Sequence, residues 1–365
     1  MQIVFIGLTI SSSWGNGHAT TYRGLLRELT AQGHEVYFLE HDKPWYSDNR
    51  DFDQSEHYHL RFYDSVDMLQ EQFGSLVKTA EMVIVGSYVP EGVRVGRWVQ
   101  DTANGVTAFY DIDTPVTLTK LDKGDEEYLT KALIPGFDLY LSFSGGEVLD
   151  LLENQYNAQR ARALYCSVDP DLYYPMNLEK KWTLGYLGTY SMDRQPTVNN
   201  LLIEPAKNYV SKNFVVAGPG YPEEIAWPQN VQRIDHLAPH KHCEFYNRQQ
   251  FTLNVTREAM IRLGYSPSVR LFEAAACGVP IISDYWKGLT DLFEEGNEIL
   301  IARDTGEMES ILKETTPEQQ KAIGEAARKK VMHAHTAAHR AKELITYYDE
   351  VNNLVLTGDA GSVDL

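Results

Sequence analysis

At 365 residues with a formal net charge of -18, the chain is too long for one ordinary core and too acidic to take nucleic acid or an anionic membrane as a general partner. Hydrophobic residues make up 43% of it, the share of a well-packed soluble protein, and no apolar run reaches the about 18 to 20 residues that a membrane span needs. Cys166, Cys243 and Cys277 lie far apart without CxxC spacing, which points to reduced thiols and a cytoplasmic setting.

Met1 to Ile10 lacks a basic leader and reads as a first strand, Gln2 to Leu8, not as a secretory signal. A polar loop containing Gly15, Asn16, Gly17 and His18 follows, then an amphipathic helix from about Ala19 to Gln32, the cap Gly33, and a strand over Glu35 to Glu40. The unit opens like a dinucleotide-binding domain but lacks GxGxxG, which speaks against a dehydrogenase. Strands at Met82 to Gly86, Thr107 to Tyr110, Leu139 to Ser142 and Ala163 to Cys166 alternate with helices, clearest at Val93 to Asp101 and Glu147 to Asn154. Such alternation predicts a doubly wound parallel sheet with ligands at the strand carboxyl ends, where Gly86–Pro90, Asp111–Pro115 and Ser144–Gly146 become walls of a cleft.

Residues 167–181 contain two prolines and no period and read as a linker. The theme then repeats: a strand at Trp182 to Leu187, a loop from Gly188 to Arg194, a helix from about Thr197 to Tyr209, and strands at Phe214 to Ala217, Val231 to Ile234, Thr252 to Val255, Val279 to Ser283 and Ile299 to Ala302. Helices at Pro317 to Val331 and Thr336 to Asn352 are long enough to pack back on the first half. The expected plan is α/β, two facing Rossmann-like domains at 1–166 and 182–334 with a cleft between them, and 335–365 as a returning helix with a frayed tail.

The stretch from Ser268 to Asp284 is where a nucleotide is expected. Ser266, Pro267 and Ser268 supply a proline start and a hydroxyl cap, and Gly278 and Pro280 stop the helix. Its N-terminus favours an anion, and Arg270 adds a formal positive charge in the first turn. Glu273, one turn on, can accept hydrogen bonds from a ribose diol. For an isolated helix the competing reading is plain packing on a sheet, with Arg270 and Glu273 in solvent.

Taken together, Leu184–Tyr190, Val215–Gly220, Leu253–Arg257, Arg270–Pro280, Gly288–Leu300 and His335–Arg340 resemble a GT-B glycosyltransferase of the group 1 type, and most closely its CgeB-like branch, named for a spore maturation protein. The resemblance implies a nucleotide-sugar donor held mainly by the second domain, transfer to an unidentified acceptor, a retaining outcome, and no required cofactor or metal. It places the donor ribose on Glu273 and the diphosphate near Arg194 and the backbone N–H groups of Gly288 and Leu289, with Gly188 starting the glycine loop; the helix start at Ser268 and the charge of Arg270 suit the same diphosphate on physical grounds. Many related enzymes carry two glutamates separated by seven residues, and here Tyr265 stands where the first would be. Gly15, Asn16 and Gly17 fall in the acceptor-side loop. Should the reaction invert, His18 or Asp113 would supply the base.

Asp111-Ile-Asp113 has the spacing of a metal-binding DxD, but a strand-end turn before Thr-Pro accounts for it better. His236, His240, His242 and Cys243 match no closed zinc motif. Two other functions share the architecture: a noncatalytic nucleotide or sugar binder, and a nucleotide-sugar epimerase, which needs acid and base residues around the sugar.

Overall fold

The computed structural model describes residues 1–13, 18–52 and 54–357. The chain forms two compact units, Met1–Cys166 together with the last helix from Ala337 on, and Ser167–Thr336.

The first unit is built on a seven-stranded parallel sheet of β1 Gln2–Gly7, β2 Glu35–His41, β3 His59–Tyr63, β4 Met82–Gly86, β5 Val106–Asp111, β6 Leu139–Ser142 and β7 Ala161–Ala163. Strand order is β3-β2-β1-β4-β5-β6-β7. Every residue of β4 and β5 is buried, as a parallel sheet covered on both faces requires. Edge strand β3 has no counterpart among the strands read from the sequence, because His59 and Arg61 are exposed and only Leu60 and Tyr63 are buried. The helix Val66–Thr79 was also missed; Ser65 caps it by accepting from the Met68 N–H at 3.2 Å.

The second unit carries a six-stranded parallel sheet: β8 Trp182–Leu187, β9 Phe214–Ala217, β10 Val231–Ile234, β11 Gln249–Asn254, β12 Ile281–Ser283 and β13 Leu300–Ile301. Its order is β10-β9-β8-β11-β12-β13. Leu184, Phe214, Phe251, Leu253 and Ile282 are fully buried within its core. The helix expected near Thr197 to Tyr209 widens over Asn199–Ile203 into π geometry, with Pro205 shortly downstream. Lacking an N–H, that proline cannot continue an ordinary helical ladder.

Residues 167–181 group with the second unit and do not form a free connection: the Met176 N–H donates to Asn247 Oδ1 at 2.7 Å, and Lys180 Nζ to the Asn247 carbonyl at 2.9 Å. The helix Pro317–Ala334, closed by a Thr316–Gln319 capping box, packs against Val269–Ala276 in the same unit. A Cβ at Gly324 would stand 2.2 Å from the Gly278 carbonyl, so this approach needs glycine. The helix Ala337–Thr357 packs against His18–Ala31 in the first unit, and Tyr347 donates to the Ala163 carbonyl at 2.9 Å. The tail expected to fray lies outside the described residues beyond 357.

Candidate nucleotide site in the second unit

Strand order reverses between β8 and β11, and a doubly wound sheet opens its ligand crevice at such a point, outside the strand carboxyl ends. Gly188 follows β8 and donates its N–H to the Ala217 carbonyl at 2.8 Å. Gly218, with φ +141°, brings the loop after β9 so close that a Cβ there would stand 2.1 Å from the Gly188 carbonyl oxygen. A Cβ on Gly188 itself would fall 2.5 Å from the Tyr186 hydroxyl and 3.2 Å from Arg270 Nη2. Two glycines thus let backbone and guanidinium share one small space.

Arg270 is only 9% exposed. Its Nε donates to the Leu187 carbonyl at 2.6 Å and its Nη1 to Asn254 Oδ1 at 2.8 Å, while the guanidinium lies 5.1 Å from the centroid of the Tyr186 ring. These partners are all neutral, and among the described residues no carboxylate forms an ion pair with Arg270. Asp284 is nearby, but its oxygens accept from the Thr256 N–H at 2.8 Å and the Thr256 hydroxyl at 2.7 Å, and burial pushes its carboxyl above the usual range.

Ser268 occupies the cap position without capping. Its hydroxyl donates instead to Asn254 Oδ1 at 2.8 Å, the oxygen that also holds Arg270. A helix start without a side-chain cap therefore adds its positive dipole end to an unneutralised guanidinium, and burying such a charge unpaired costs several kcal/mol. The arrangement is suited to an anion.

Arg194 lies at the far end of the Gly188 loop, donating from Nη2 to the Thr189 carbonyl at 2.6 Å, and its Nε is buried without a hydrogen-bond partner. A third arginine escaped the sequence reading. Arg233 on β10 donates to the Val216 carbonyl at 2.5 Å and the Gly218 carbonyl at 3.1 Å, and its guanidinium lies 4.2 Å from the Tyr221 ring centroid and 4.8 Å from that of Trp227. The Tyr221 hydroxyl donates to the Gly188 carbonyl at 3.1 Å. Burial raises the Tyr221 pKa, while the charges of Arg194, Arg233 and Arg270 all pull it down. No glycine signal follows β10 to mark Arg233 out in the sequence.

Glu273 is 5% exposed, and its carboxylate accepts from the Tyr246 hydroxyl at 3.0 Å; the buried Tyr173 packs beside Tyr246, their ring centroids 6.4 Å apart. Neither tyrosine stood out in the sequence. Tyr265 adopts φ +52°, a left-handed conformation costing about 1 kcal/mol for a residue with a side chain, and its N–H donates to the Lys287 carbonyl at 2.6 Å. Its ring occupies the space beside Gly288, where a Cβ would meet Tyr265 Cδ1 at 2.4 Å. The phenol at the expected acid position thus packs on the expected phosphate loop. The Leu289 N–H already donates to the Trp286 carbonyl at 3.2 Å.

Gly15, Asn16 and Gly17 lie outside the described residues. In the first unit, His18 opens the helix His18–Ala31, its ring 5.5 Å from that of Phe143. Asp113 is 6% exposed and accepts from the Tyr88 hydroxyl at 2.9 Å. Asp111 accepts from Tyr140 at 2.6 Å and Thr117 at 2.7 Å, and burial pushes its carboxyl up to about 6. Among the described residues no group of three or more His, Cys, Asp or Glu is placed to hold a metal ion. Within the 236–243 segment, His242 Nε2 lies 3.1 Å from the Leu237 carbonyl, and Cys243 Sγ lies 3.9 Å from Cys277 Sγ.

A family model described as Glycosyl transferase-like matches residues 194–346. No curated protein matches the chain. Among solved structures, sucrose-phosphate synthase from Thermosynechococcus elongatus is 14% identical with a TM-score of 0.71, covering 97% of this chain and 100% of that one. HepE from Anabaena, in complex with UDP and glucose, is 11% identical with a TM-score of 0.69, covering 96% of this chain and 100% of its own. An alpha-glucosyltransferase in complex with UDP and a 13-mer DNA containing a HMU base is 14% identical with a TM-score of 0.67, covering 96% and 99%. The fold is that of GT-B glycosyltransferase structures, two parallel-sheet Rossmann-like domains.

Proposed function

We propose that this protein is a glycosyltransferase that moves a sugar from a nucleotide-sugar donor, bound by the second unit, to an acceptor hydroxyl. The observation that carries the reading is Arg270, a buried guanidinium held by neutral oxygens beside Gly188, at the strand-order reversal where a doubly wound sheet binds ligands. The match of residues 194–346 to a glycosyl transferase-like model supports it. Solved neighbours hold UDP, which makes a uridine nucleotide the first donor to try.

Transfer breaks the bond between the anomeric carbon and the β-phosphate oxygen, forms a bond to the acceptor oxygen, and leaves a nucleoside diphosphate and a proton. Negative charge grows on the leaving phosphate. Arg270, Arg194 and the start of the Val269–Ala276 helix are preorganised positive groups for it, so the reaction does not require a metal. Glu273 accepts from the donor ribose hydroxyls, and Gly288 and Leu289 flank the diphosphate. In the retaining course the acceptor attacks from the face the phosphate leaves, and a phosphate oxygen takes the acceptor proton. His18 and Asp113 would supply the base in an inverting course, with Gly15, Asn16 and Gly17 on the acceptor side.

The finer assignment is a cytoplasmic, metal-independent hexosyl- or pentosyltransferase of the CgeB-like branch. Release of nucleoside diphosphate from a panel of nucleotide sugars, beginning with UDP-glucose and repeated in the presence of chelator, tests the reading. Turnover with chelator supports it. Tight binding with no turnover across acceptors from a cell extract turns the reading to a noncatalytic nucleotide binder.

A further inference from the structure

A phenol that the reading above does not use donates to the one carboxylate that it does. Tyr246, on the helix His242–Asn247, is fully buried and donates to Glu273 Oε2 at 3.0 Å. Tyr173, in residues 167–181, is 4% exposed and packs beside Tyr246, the two ring centroids 6.4 Å apart. We propose that Tyr246 is a positioning residue that fixes the Glu273 carboxylate for the donor ribose. The proposal rests on the reading of Glu273 as the ribose acceptor.

A carboxylate offers about four lone-pair sites. The Tyr246 phenol occupies one of them from the protein side, which leaves room for the paired hydroxyls of a ribose. The terminal torsion of a glutamate is soft, and a fixed donor restrains the carboxylate plane. Burial keeps the Tyr246 phenol protonated far above neutral pH, so it remains a donor throughout the working range. Phenylalanine would fill the same apolar volume. The hydroxyl is therefore what the arrangement adds beyond packing, and removing it alone separates positioning from folding.

Calorimetric titration of the full chain with UDP and with 2′,3′-dideoxyuridine diphosphate, for wild type, Tyr246→Phe and Tyr246→Met, tests the proposal. Wild type should prefer UDP. Each variant should bind UDP roughly tenfold more weakly, the size of one charge-assisted hydrogen bond, with affinity for the dideoxy ligand unchanged. Equal weakening toward both ligands would mark Tyr246 as merely structural and overturn the proposal, as would no weakening. Tyr246→Met, a second variant without the hydroxyl, serves should Tyr246→Phe not fold. Equal affinity of wild type for the two ligands would remove Glu273 from the ribose and the proposal with it, a failure visible before any substitution. A wild type that binds no ribonucleoside diphosphate of uridine, cytidine, adenosine or guanosine would overturn the underlying donor-site reading as well.

Discussion

Asn254 Oδ1 accepts from both Arg270 Nη1 and the Ser268 hydroxyl, each at 2.8 Å, so one amide oxygen at the end of β11 fixes a buried cation and removes the cap from the helix that carries it. Its own Nδ2 donates to Ser283 at 2.9 Å, tying the arrangement to the end of β12. The positive end of the helix and the guanidinium therefore stand together, and among the described residues no carboxylate forms an ion pair with that guanidinium.

Asn254→Leu should unseat Arg270 and Ser268 together. Nucleotide affinity should fall about tenfold or more, and the unpaired groups left behind should lower stability by about 1–3 kcal/mol, measured by titration calorimetry and denaturant unfolding. Wild-type nucleotide affinity in this variant would show that Asn254 does not orient the cation.

Arg194→Ala should lower kcat more than it raises the donor KM, because the leaving phosphate gains its charge mainly in the transition state. Steady-state kinetics separates the two. A change confined to KM would assign Arg194 to ground-state binding.

Gly218→Ala should cost stability as well as nucleotide affinity. At φ +141° with a Cβ 2.1 Å from the Gly188 carbonyl, the substitution must push the two loops apart. A loss of about 2 kcal/mol or more in denaturant unfolding is expected. An unchanged midpoint would contradict the close approach of these loops.

The Cys243 thiol, hydrogen-bonded by Cys277, is lowered to about 6, whereas burial raises Cys277 well above the usual thiol range. Since the thiolate is the nucleophile, alkylation of Cys243 by iodoacetamide should rise through a midpoint near pH 6 and be at its plateau by neutral pH, with Cys277 unlabelled in the native chain. Mass mapping of a pH series reads both. A Cys243 midpoint above pH 8 would contradict the hydrogen bond.

Much of the fold is legible in runs such as Met82–Gly86 and Phe214–Ala217, apolar at every position because both faces of a parallel strand are covered. Strand β3 was hidden because an edge strand needs only half that pattern. At the site, Gly188, Arg270 and Glu273 announce themselves by local pattern. Arg233, Asn254 and Tyr246 do not, since residues far apart in the chain meet only in the folded unit: Arg233 at the Gly218 carbonyl, Asn254 at Arg270, and Tyr246 at Glu273. Ser268 shows how a local rule yields: its hydroxyl was expected to cap its own helix, and tertiary contact offered it Asn254 instead.

Thermal unfolding in excess chelator, with the diphosphates of uridine, guanosine, adenosine and thymidine, addresses the central claim most directly. At least one should raise the Tm by several degrees at a hundredfold excess over Kd, and Glu273→Ala and Arg270→Ala should each reduce that shift. Unchanged melting with all four, or shifts of full size in both variants, would contradict a nucleotide site built on Arg270 and Glu273.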